Sequence, residues 1–140
     1  MTNASSPVQF RRLLWVGPLA VVAAIAGVLI VRVIAVAVLQ PDPLPLSLMW
    51  GTPIVFTAVL VTAAVLVFAL VARVAKNPIR TYQVIAFVCL LLSFLPDVAY
   101  ARSSMPGASW PVAVALMIMH VIAWAICVSI LTRLSTRKGE

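Results

Sequence analysis

The chain has 140 residues, of which 64% are hydrophobic and only 9% charged, and it carries a net charge of +7. Its mean hydropathy is +1.18, whereas about a quarter of the residues in a soluble domain are charged. That balance excludes an aqueous globular domain, because a core this small would leave too much apolar surface in water.

The apolar runs are long and continuous rather than alternating ten-residue segments, which predicts membrane-spanning helices instead of a β-barrel. In a soluble protein the positive charge would suggest nucleic acid. Here the basic residues flank apolar spans and lack neighbours suited to reading bases or phosphates. They read as topology determinants and lipid-headgroup contacts. Cys89 and Cys127 both fall inside apolar runs, so a structural disulfide is not expected.

The first apolar span runs from about Leu13 to Leu39, and Gly17-Pro18 near its start predicts a kink because Pro18 removes a backbone donor. Arg11-Arg12 before it weakly resemble a signal-peptide or twin-arginine leader. The apolar run is too long for a signal h-region and three more spans follow, so an uncleaved helix is expected.

From Gln40 to Thr52 the prolines Pro41, Pro43 and Pro45 forbid regular helix and predict an extended or turn-rich loop, with Met49 and Trp50 returning to the interface. Thr52 as cap and Pro53 as first helical residue predict a second span reaching about Val74. Asn77-Pro78 repeats that start for a third span, which runs to about Leu95, where Pro96 ends or kinks it. Tyr100 to Ser109 reads as a loop. Ser109 is placed to cap a fourth span, about 110–134, followed by a short basic tail.

Arg11, Arg12, Arg73, Lys76, Arg80, Arg133, Arg137 and Lys138, eight of the ten basic residues, share one side of a four-span arrangement. The positive-inside rule makes that side cytoplasmic. The expected fold is therefore all-α: a single-domain integral-membrane four-helix bundle over residues 1–140, with N- and C-termini cytoplasmic. Ala20/Ala24, Ala23/Gly27 and Ala125/Ser129 are small-xxx-small pairs of the kind that let helices approach closely in lipid.

Ionisable residues within spans are costly and mark candidate functional positions. There are three: Arg32, Asp97 and His120. At 1.5 Å rise per residue, Arg32 lies roughly 28 Å along from Leu13 and Asp97 roughly 28 Å along from Pro78. Both therefore fall near the outer boundary of a core about 30 Å thick. Two readings follow. Either they form an ion pair, or Arg32 snorkels to headgroups while Asp97 belongs to the loop after Pro96.

His120, roughly 15 Å below Trp110, falls near the midplane. Met117, Trp124 and Cys127 share its helical face. Thioether, imidazole and thiol together suit Cu(I); a proton relay is a second reading. A histidine bonded to a hydroxyl or carbonyl of a neighbouring helix is the simplest.

No glycine-rich phosphate loop, CxxC or carboxylate pair occurs. The first helix also lacks the embedded Glu that small multidrug transporters use. No metal or cofactor is expected.

In order along the chain, Pro78-Ile79-Arg80-Thr81-Tyr82, Leu92-Ser93-Phe94-Leu95-Pro96-Asp97 and Met119-His120 resemble an uncharacterised family of small bacterial four-transmembrane-helix proteins, a domain of unknown function. The opening Arg11-Arg12-Leu13-Leu14-Trp15-Val16-Gly17-Pro18 is similar as well, and the resemblance extends from about Arg11 to Leu134. It implies the fold and a bacterial membrane, and it singles out the Ser93–Asp97 and Met119–His120 segments. It supplies no catalytic residue.

The expected function is a non-enzymatic structural, accessory or assembly component of the inner (plasma) membrane. The lipid bilayer surrounds it, a second copy or another membrane protein is the further partner, and nucleic acid is not one. The alternative is a small oligomeric transporter or channel using His120 and Asp97. A third reading, membrane redox or metal handling, uses Cys89, Cys127 and His120.

Overall fold

A computed structural model describes Val8 and residues 10–135. Four helices account for most of them: α1 (Phe10–Leu39), α2 (Gly51–Val74), α3 (Pro78–Ala101) and α4 (Trp110–Leu134), with a short 3-10 turn at Leu46–Leu48. There is no strand among the described residues. Each helix is long and apolar enough to cross a membrane. Even the 24 residues of α2 rise roughly 36 Å, more than the ~30 Å of a hydrocarbon core.

The helix boundaries follow from proline chemistry and capping. Ser109 has extended backbone and its Oγ accepts from Val112 N–H, with Pro111 in the first turn of α4. Pro78 opens α3, where its missing donor costs nothing, although the Asn77 side chain makes no cap bond. The second helix starts one residue before Thr52, at Gly51, without a side-chain cap. Gln40 ends α1 with φ of 43°, its N–H still bonded to the Val36 carbonyl, and Pro41 prevents continuation.

One boundary departs clearly from the sequence expectation. The third helix does not stop near Leu95 but passes through Pro96 to Ala101. An internal proline removes one backbone bond, and a span packed against its neighbours tolerates that loss. Here the turn beyond Pro96 is held by Asp97, which is buried, and by Tyr100, which packs on the core.

The broadest seam lies between the first and last helices, α1 and α4; α1–α2 and α3–α4 follow, and α2–α3 is slimmer. Small residues make the α1–α4 approach possible. Ala20 and Ala24 are fully buried. A Cβ on Gly27 would lie 2.6 Å from Ile126 Cδ1 and 3.0 Å from Ile122 Cγ2. Ala125 is half-buried and Ser129 is exposed, so that pair forms no seam within the chain.

Two apolar clusters stack along the bundle. One, toward the end that holds the start of α1, the α2–α3 turn and the end of α4, contains Val16, Ala20, Phe68, Tyr82 and Leu131. The other, toward the two long loops, contains Val28, Leu48, Val112 and Met119. These are the terminal end and the loop end. At the loop end Gly107, with φ of +74°, lets the α3–α4 loop lie against the α1–α2 loop: a Cβ there would be 2.7 Å from the Pro43 carbonyl oxygen.

Candidate functional site: the ionisable residues of the loop end

Helix direction decides which ionisable residues meet. In an α-helix each Cα–Cβ bond tilts toward the N-terminus. Asp97, near the loop end of α3, therefore leans back toward the terminal end. His120 lies on α4, which starts at the loop end, and so leans the opposite way. The two side chains converge across the α3–α4 seam.

His120 Nδ1 lies 2.9 Å from the Leu116 carbonyl oxygen and 3.1 Å from Asp97 Oδ2. Both neighbours are acceptors, so Nδ1 carries a proton. Its aligned hydrogen bond is the one to Leu116. Asp97 Oδ2 has no aligned hydrogen-bond donor and faces His120 Nδ1 at 3.1 Å. The Asp97 side chain is 8% exposed and that of His120 is 31% exposed. A carboxylate this deep in an apolar helix pair would be costly alone, and the adjacent imidazole offsets that cost.

Arg32 does not meet Asp97, and it does not reach freely into solvent. It is 6% exposed. Its Nε donates to the Leu48 carbonyl at 2.9 Å, and its Cζ stands 3.7 Å from the Trp50 ring centroid. The partners come from the α1–α2 loop because α1 packs on α2 and α4, whereas α3 packs on α4 and α2. The charge is thereby stacked on an aromatic face and tied to a backbone acceptor. Depth arithmetic placed Arg32 and Asp97 at one level but carried no information on which helices are neighbours.

The Met117–His120–Trp124–Cys127 face does not close into one site. The Cys127 Sγ is 3.7 Å from Tyr82 Oη. The Trp124 ring stacks edge-on with Phe87, with centroids 6.2 Å apart. Cys89 is an exposed free thiol and Cys127 a buried one. Among the described residues no group of three or more His, Cys, Asp or Glu side chains gathers where a metal ion could sit.

No sequence pattern marks the Tyr82–Cys127 contact or the role of the Leu48 carbonyl. Nor does one mark the buried Ser47 Oγ, Tyr100 Oη and Trp124 Nε1, which lack hydrogen-bond partners. Trp50, read as returning to the interface, was the one visible hint of an Arg32 partner. Chemically, the Asp97–His120 contact sets a carboxylate against an imidazole N–H, while Arg32 presents its guanidinium to an aromatic face and a backbone carbonyl.

No curated protein and no solved structure matches the chain. A family model does, over residues 4–137: DUF6069, described as a family of unknown function.

Proposed function

The chain belongs to the DUF6069 family, and from that premise we propose that it is a non-enzymatic multi-pass protein of the bacterial inner membrane. In this reading both termini lie in the cytoplasm, and the protein is a structural or accessory component that assembles with a second copy or another membrane protein. The observation that carries it is how the intramembrane ionisable residues are used. Arg32 ties α1 to the α1–α2 loop, and Asp97 with His120 ties α3 to α4. All three are absorbed in holding the loop end together.

Two further observations support the reading. Between 11% and 28% of the most apolar window of each helix is buried within the chain, which leaves broad faces for lipid or a partner. Arg11, Arg12, Arg73, Lys76, Arg80 and Arg133 all lie toward the terminal end, and the positive-inside rule favours a cytoplasmic location for it. Arg137 and Lys138 lie outside the described residues.

Cross-linking in intact membranes followed by purification in mild detergent tests the assembly role. A stable complex with a second copy or a defined membrane protein is expected. A monomer that carries solute flux on reconstitution would overturn it.

A proton-linked transporter or channel is the second reading, favoured by the exposure of the His120 ring with Asp97 directly behind it. It expects proton flux in proteoliposomes that disappears in His120→Ala. Flux that survives that substitution removes His120 from the path.

A further inference from the structure

At the terminal end, between α1 and α2, lies an open groove of about 440 Å³. Its walls are Leu13, Leu14, Val65, Leu66 and Ala69, and its rim carries Phe10, Arg11 and Arg73. The deep limit is set by a tight helix contact: a Cβ on Gly17 would lie 3.1 Å from Val65 Cγ1. From Val65 to Arg73 the groove follows α2 for roughly 12 Å, close to the depth of one leaflet of a ~30 Å core.

Charge defines the occupant. The Arg73 guanidinium sits 5.2 Å over the Phe10 ring, at the groove rim. The chain's only carboxylate side chains are Asp42, Asp97 and Glu140. Asp42 and Asp97 lie toward the loop end, and Glu140 is outside the described residues. No described carboxylate therefore neutralises the rim. An apolar slot one leaflet deep with two arginines at its mouth matches an acyl chain joined to an anionic headgroup.

We propose that this groove binds one acyl chain of an anionic phospholipid, with the headgroup phosphate held between Arg11 and Arg73. The proposal takes the membrane placement above as its premise. Lipid selectivity in a detergent micelle is scored without reference to leaflet, assembly or partner, so either reading can fail alone.

The test titrates the purified full chain, in micelles, with phosphatidylglycerol or phosphatidylcholine of equal chain length and counts bound lipid by native mass spectrometry. One tightly bound phosphatidylglycerol is expected, preferred over phosphatidylcholine by about tenfold or more, the order given by two surface arginines. Arg11→Gln with Arg73→Gln should abolish the preference. Ala69→Leu should weaken both lipids by filling the slot, and Arg80→Gln, at the same end but outside the groove, should leave the preference unchanged. Glycerol 3-phosphate, which has a phosphate but no acyl chain, should not compete.

Equal binding of the two lipids would overturn the proposal. So would an Arg80→Gln loss as large as that of Arg73→Gln, which would mark diffuse surface charge, or competition by glycerol 3-phosphate, which would mark a phosphate site without a lipid slot.

Discussion

His120 reaches Asp97 because their helices run in opposite directions: Nδ1 and Oδ2 stand 3.1 Å apart although the residues differ in depth along their own helices. Each side chain leans toward its own N-terminus, and the two N-termini are at opposite ends of the bundle. The contact joins helices connected by the 102–109 loop and makes that hairpin a polar as well as an apolar unit.

The two halves of this pair should not be equivalent. His120→Ala leaves a buried carboxylate with no compensation, a loss on the order of 3 kcal/mol. Asp97→Ala leaves a partly exposed imidazole that keeps its Leu116 bond, so it should cost clearly less. The double variant should be less destabilised than the sum of the singles. Unfolding of all three in mild detergent measures this; additivity within about 0.5 kcal/mol would mean the contact carries no coupling.

Arg32 should prove intolerant of lysine. A lysine keeps the charge but loses both the planar stack on Trp50 and the fork geometry that places Nε on the Leu48 carbonyl. Arg32→Lys is expected to destabilise by about 1–2 kcal/mol, and Trp50→Ala by a similar amount. The two effects should be non-additive, since both remove the same stack. Thermal unfolding of the four-member set in detergent checks it, and additive losses would mean the stack contributes nothing.

Span number and the proline-marked starts of the third and fourth helices were legible in the sequence, because apolar length and missing donors are local properties. The third helix's end was not legible. Pro96 reads locally as a stop or a kink, and the helix continues with Asp97 buried and Tyr100 packed on the core beyond it. The candidate residues Arg32, Asp97 and His120 stood out because charge in an apolar run is conspicuous. Their partners did not, since partnership depends on helix neighbours and side-chain lean, neither of which a depth count contains. Leu48 could not be found this way at all: what it offers is a backbone carbonyl, and every residue has one.

Gly27 and Gly107 should respond differently to alanine. At Gly107 the backbone is left-handed and the obstacle is the Pro43 carbonyl. Gly107→Ala should therefore cost about 1–2 kcal/mol from conformation alone and more from the clash between loops. At Gly27 the obstacles are side-chain methyls: Ile126 Cδ1 at 2.6 Å can rotate away and Ile122 Cγ2 at 3.0 Å must give by a few tenths of an ångström, while alanine favours the helix by about 1 kcal/mol. Gly27→Ala should be near neutral, whereas Gly27→Leu should open the α1–α4 seam. Midpoints of thermal unfolding rank the three; a Gly107→Ala protein as stable as the parent would mean the loops do not pack as described.

Tyr82, on α3, meets both α2 and α4 within the terminal-end cluster. It is 1% exposed, its ring meets Phe68 edge-on at 4.9 Å, and its hydroxyl faces Cys127 Sγ at 3.7 Å. Tyr82→Phe keeps the ring contact and removes only a weak sulfur bond, so its cost should stay below about 1 kcal/mol. Tyr82→Ala empties a fully packed position and should cost about 3–5 kcal/mol. The same burial should hide Cys127 from a small uncharged maleimide in detergent. Tyr82→Ala should then make Cys127 reactive, read as a new label by mass spectrometry. Labelling of Cys127 in the parent protein would show that α2, α3 and α4 do not close over it.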